Sequence, residues 1–165
     1  MSRAADVEVD RDMLDKTLMT SPLAVLDALN SLLEAEQNSV FRFMHEGSPY
    51  LSRASAEIRR PLRQMVQTSY RHCGQLYAMI EELGGIPRPC GIEPEEQYLA
   101  FLSLKFLLPK LVDAKELTIR RYENTLKSIG SGFPVVQRLL ESHLADHREE
   151  MGILQKAAAQ VAAGK

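Results

Sequence analysis

Apolar residues recur at intervals of three and four along four long stretches of this 165-residue chain, and each stripe also runs through a polar or ionisable side chain. The intervals predict four amphipathic helices. The first opens at Ser21-Pro22, a capping side chain followed by proline at the first helical position. It carries Leu26, Leu29, Leu33, Val40, Phe43 and Met44 to about His45, with Glu36 on the same stripe. His45 falls at the helix end, where a cation suits the negative pole. Gly47-Ser48-Pro49 breaks the chain, which restarts near Ser52 to Ser55, Pro61 marking a kink or the true start. The second stripe is Leu62, Met65, Ser69, His72, Leu76, Met79 and Leu83, closed by Gly84-Gly85-Ile86-Pro87. The third helix is predicted from Glu93-Pro94-Glu95-Glu96 to about Ile129, bent or split at Pro109. Leu107, Ala114, Leu117 and Arg121 place Lys110 on its seam. Gly130-Ser131-Gly132 interrupts, Pro134 opens the fourth helix, and Val136, Leu140, His143, His147, Glu150 and Leu154 line its inner face.

No segment has strand periodicity and no repeat of fixed length occurs, so the predicted fold is all-α, a four-helix bundle. Residues 21–156 form the bundle. Residues 1–20 are an N-terminal arm with a short helix near Met13, Leu14 and Leu18, and 157–165 are an alanine-rich tail. At 45% apolar and 25% charged residues the chain is globular, and its net charge of −2 without a basic block argues against a nucleic-acid surface. The longest apolar run, Phe101 to Leu108, is broken by Ser103 and Lys105, so no membrane span is predicted. The acidic opening lacks an apolar core, and the expected location is the cytoplasm. Cys73 and Cys90 make no Cys-x-x-Cys and read as free thiols.

Glu36, His72, Lys110, and His147 with Glu150 thus supply one or two seam groups per helix. Burying such a group unpaired costs on the order of 2–7 kcal/mol when neutral and more when charged, so they pair with each other or bind an ion. At this point the chain resembles the ferritin-like family, most closely its bacterioferritin branch, over Leu23 to Gln155. The resemblance rests on Leu29-Asn30-Ser31-Leu32-Leu33-Glu34-Ala35-Glu36, on His72 to Gly84-Gly85-Ile86-Pro87, on Ala114-Lys115-Glu116-Leu117 and on Leu144-Ala145-Asp146-His147. It implies an up-down bundle with a crossover between the second and third helices, and self-association, a dimer by default.

Family members hold two iron ions with one Glu from each of two helices and a Glu-x-x-His from each of the others. Set against that pattern, Glu36 and His72 are retained, Ser69 replaces a bridging Glu, Lys110 replaces the third-helix Glu, and the fourth-helix motif is inverted to His147-Arg148-Glu149-Glu150. The resemblance therefore implies at most one divalent metal, held by Glu36, His72 and His147, with His143 and Glu150 as second-choice ligands. A Lys110–Glu150 pair stands at the second position. Two His and one carboxylate suit iron, zinc or manganese. The alternative is a metal-free structural or interaction protein in which the same groups form a satisfied polar network. No catalytic residue is assigned. The scattered methionines give no haem site, Cys73 points about 100° from His72, and Glu116, Tyr122 and Glu123 read as a solvated face.

Overall fold

The structure is a computed structural model that describes residues 21–43, 56–88 and 102–163. The predicted N-terminal arm, His45, the start of a third helix at Glu93, and Cys90 lie outside these residues. Among the described residues there are five α-helices and one 3₁₀ turn, with no strand.

Helix α1 (Pro22–Gln37) starts as expected, the Ser21 hydroxyl accepting from the Ala24 amide at 3.2 Å with Pro22 in the first turn. It ends earlier than its stripe suggests. The Asn38 amide closes on the Glu34 carbonyl at 2.9 Å, and the Ser39 hydroxyl accepts from the Phe41 amide to start the short α2 (Val40–Phe43). Both Asn38 and Ser39 are residues whose side chains compete with helical backbone bonds. Helix α3 (Ala56–Glu82) runs through Pro61. Gly84 ends it at a φ of 76°, and the Gly85 amide bonds the Ile80 carbonyl at 2.9 Å. The buried Asn30 then ties the following segment to α1, donating to the Ile86 carbonyl and accepting from the Arg88 amide at 2.8 Å.

Helix α4 (Leu104–Ile129) is continuous through Pro109. Gly130–Gly132 form a 3₁₀ turn, and α5 runs from Pro134 to Ala162. The tail expected from residue 157 is thus helical through Ala162, and Ala157, Ala158 and Val161 pack against the core.

Two apolar clusters divide the bundle lengthwise. One joins Val40, Phe41, Ile58, Leu62, Met65, Leu107, Leu111 and Leu154; the other joins Val25, Leu29, Leu33, Leu76, Ile80, Ile129, Val136 and Leu140. The starts of α3 and α4 belong to the first and their ends to the second, so these two helices run in the same direction. Residues 83–103 therefore return from one end of the bundle to the other. A link of that many residues reaches roughly 70 Å when extended, against about 40 Å for a helix as long as α3, so its length suffices for a crossover. No described helix is long and apolar enough to cross a membrane.

Candidate metal centre

Between the two clusters lies a layer of buried polar side chains contributed by α1, α3, α4 and α5. Glu36 is its hub. Oε1 of this carboxylate lies 2.7 Å from His147 Nε2 and 3.4 Å from His72 Nδ1, and accepts from the Tyr122 hydroxyl at 3.0 Å. Oε2 accepts from Ser69 Oγ at 3.1 Å. Burial opposes ionisation of Glu36, but the hydrogen bonds to His147 and His72 outweigh it and hold the carboxyl well below 4.5. One ligand atom each from Glu36, His72 and His147 lies within 4.8 Å of the others. All three residues are almost fully buried.

Each imidazole has a second partner that orients it. His72 Nε2 lies 3.0 Å from Asp146 Oδ2, which also accepts from Arg71 at 2.7 Å. His147 Nδ1 lies 3.2 Å from Lys115 Nζ and 3.7 Å from Glu150 Oε2. Burial acts to discharge His147, yet Glu150 and Glu36 overcome it and raise its pKa above 6.5, with Lys115 opposing them. His143 stacks on His72 with ring centroids 3.8 Å apart, and its nitrogens face the Tyr122 hydroxyl and the Gln75 amide at 3.2 and 2.9 Å. Burial, then the neighbouring His72, push its pKa down to about 3. His143 is thus a neutral flanking ring, outside the group of three.

The lysine of the layer is Lys115. It donates to Glu150 at 2.6 Å and sits 4.3 Å from the centre of the Phe41 ring. Lys110 is exposed, which corrects the expected Lys110–Glu150 pair. The buried residues of α4 are Leu107, Leu108, Leu111, Lys115, Tyr122 and Ile129, so beyond Leu107 the buried line runs one residue on from the expected line through Ala114, Leu117 and Arg121; one residue turns a helix by about 100°. Leu117 is consequently 53% exposed. The same rotation brings Tyr122, read from sequence as part of a solvated face, to complete burial. Its seven-residue spacing from Lys115 was the available signal. Asp146 and Arg71 carried none, because their role depends on which helix lies opposite.

The site opens on one side. A cleft of about 500 Å³ between α3 and α5 is lined by Met65, Thr68, Arg71, Asp146 and Glu150. Asp146, about one-third exposed, connects this cleft to His72.

No protein-family model matches the chain, and no curated protein matches it in sequence. Solved structures do match in fold. A bacterioferritin from Desulfovibrio desulfuricans, solved with its diiron site in different catalytic states, superposes with a TM-score of 0.73 at 18% identity over 86% of this chain and 82% of that one. A ferritin-like, diiron-carboxylate protein from Bacillus anthracis gives 0.64 at 19% identity over 83% and 96%. A dodecameric thioferritin from Bacteroides fragilis, related to bacterioferritin, gives 0.70 at 17% identity over 93% and 95%. With its four long helices and the parallel run of α3 and α4, the chain has the ferritin-like fold.

Proposed function

We propose that this protein is a ferritin-like metal-binding protein that holds one divalent cation between Glu36, His72 and His147, with the Lys115 ammonium in place of a second cation. One observation carries the reading. When His72 donates from Nε2 to Asp146, its Nδ1 lone pair faces the ionised Glu36 carboxylate 3.4 Å away, and two acceptors at that separation need an electrophile between them. A divalent ion is one. The Asp146 contact is the outer hydrogen bond that orients metal-binding histidines. To complete the set, His147 would offer its Nε2 lone pair to the ion, which puts its proton on Nδ1, 3.7 Å from Glu150 Oε2, and requires the Lys115 ammonium, 3.2 Å from Nδ1, to turn its donors fully onto Glu150. Ligand atoms about a tetrahedral ion sit roughly 3.3 Å apart, against 3.4 Å from Glu36 to His72, 2.7 Å from Glu36 to His147 and at most 4.8 Å within the group. Bound iron would supply redox chemistry and bound zinc Lewis acidity. The diiron sites named for two of the structural neighbours support a metal in this layer, and the dodecameric neighbour supports self-association.

A second reading has its own observation. Among the described residues, every buried side-chain nitrogen or oxygen has a hydrogen-bond partner, so a proton on His72 closes the network without a metal. Elemental analysis of protein purified without chelator separates the two. One equivalent of iron, zinc or manganese per chain, lost in both Glu36→Ala and His72→Ala, is expected. Metal-free wild-type protein that also fails to take up added Fe²⁺, Zn²⁺ or Mn²⁺ establishes the proton-filled network instead. Two irons per chain would refute both readings.

A further inference from the structure

Beside the candidate ligands runs a chain of polar contacts that ends at the surface. Glu36 Oε1 accepts from the Tyr122 hydroxyl at 3.0 Å, the same hydroxyl lies 3.2 Å from His143 Nδ1, and His143 Nε2 lies 2.9 Å from the side-chain amide of Gln75. Tyr122 and His143 are buried, whereas Gln75, one turn along α3 from His72, is exposed.

The hydrogens along this chain can be counted. His143 is neutral, so one ring nitrogen carries a hydrogen and the other a lone pair, and the Tyr122 hydroxyl has a single hydrogen to give. With the Gln75 oxygen toward Nε2, the ring hydrogen sits on Nε2 and Nδ1 is bare. Nδ1 and the Glu36 carboxylate then compete for the one tyrosine hydrogen, and the contact that loses sets lone pair against lone pair in a buried site, where a mismatch is costly. A half-turn of the exposed amide removes the conflict. Its NH2 then donates to Nε2, Nδ1–H donates to the Tyr122 oxygen, and the hydroxyl donates to Glu36. Every contact is satisfied, and the tyrosine hydrogen goes to the ionised acceptor, which makes the stronger bond.

We propose that Gln75 is a positioning residue for the centre: by donating to His143 it fixes the ring as the Nδ1–H tautomer and so keeps the Tyr122 hydrogen on Glu36. Its effect on metal affinity rests on the reading of Glu36 as a ligand, and its effect on the tautomer does not. Outer hydrogen bonds of this kind orient a ligating group, and losing one lowers metal affinity by about 10–100-fold.

Two substitutions at this exposed position separate donation from charge, and both introduce good helix formers. At about pH 8 the side chain of Gln75→Glu only accepts. It should draw His143 to the Nε2–H tautomer, turn the Tyr122 hydrogen to Nδ1 and strip Glu36 of its donor. Gln75→Lys only donates and should keep the wild-type arrangement. Nitrogen NMR of histidine-labelled, chelator-treated protein reads the tautomer, with His143→Gln identifying the signals. Calorimetric titration with Zn²⁺ should then find Gln75→Lys within about threefold of wild type and Gln75→Glu roughly tenfold weaker or more. Charge alone predicts the reverse order, since an added carboxylate attracts a cation and an added ammonium repels it. An Nε2–H ring in wild type, an Nδ1–H ring in Gln75→Glu, or a Gln75→Glu protein that binds Zn²⁺ as tightly as wild type overturns the proposal. Tautomers that respond as expected in a wild type that takes up no metal refute the metal reading alone and support the role of Gln75 in the polar network.

Discussion

His143 is the residue whose environment says most about solution behaviour. An unfolded chain protonates this ring near pH 6.5, whereas the native fold resists until about 3. Between those values the unfolded state holds the extra proton, so native stability falls as pH falls, by up to about 1.4 kcal/mol per pH unit. His147 has the opposite sign. Its raised pKa gives a contribution fully present below 6.5 and lost as pH rises through the folded value. Glu36, held low, stabilises above 4.5 and ceases to do so as pH falls through its own folded value. Urea denaturation of chelator-treated protein at about pH 7, 6 and 5 should therefore show wild type losing stability on the acid side, and His143→Gln losing it with a shallower slope. Equal slopes would mean that His143 is not the group responsible. The Lys115–Glu150 pair makes a second residue-scale prediction. Removing either partner alone, as in Lys115→Met or Glu150→Leu, should cost about 3–5 kcal/mol, while the double variant should be near neutral or better. Thermal and chemical melts of the three variants measure it.

At the scale of elements, helix existence was legible in the sequence and helix rotation was not. Ser21-Pro22, Gly84-Gly85 and Gly130-Ser131-Gly132 mark real ends, since each changes what the backbone can do locally. The rotation of α4 depends on which of two nearly equivalent apolar lines faces the core, and both lines contain leucines. That choice decided whether Lys110 or Lys115 entered the site, and hid Tyr122 from view. The same choice is measurable. Leu111→Ala should cost about 2–5 kcal/mol, because the side chain is fully buried between helices. Leu117→Ala should stay within about 0.5 kcal/mol. A reversal of that order would mean that α4 is turned the other way. The groups on α1, α3 and α5 were read more readily because Glu36, His72 and His147 fall on stripes with one dominant apolar line. Their partners Asp146 and Arg71 appear only once α3 and α5 are side by side.

For the whole molecule, the telling feature is the polar layer held between two apolar clusters. Leucines at either end of the bundle can exchange neighbours at little loss, so apolar packing alone tolerates a helix sliding along its axis. The layer does not. A slide of one turn, about 5.4 Å, would carry Glu36 away from His72, His147 and Tyr122 and leave a bare carboxylate in hydrocarbon. Each of the four long helices contributes at least one group to this plane, so each is pinned at the same height. The layer acts as an alignment key that rejects every slipped bundle during folding, whether or not it holds a cation.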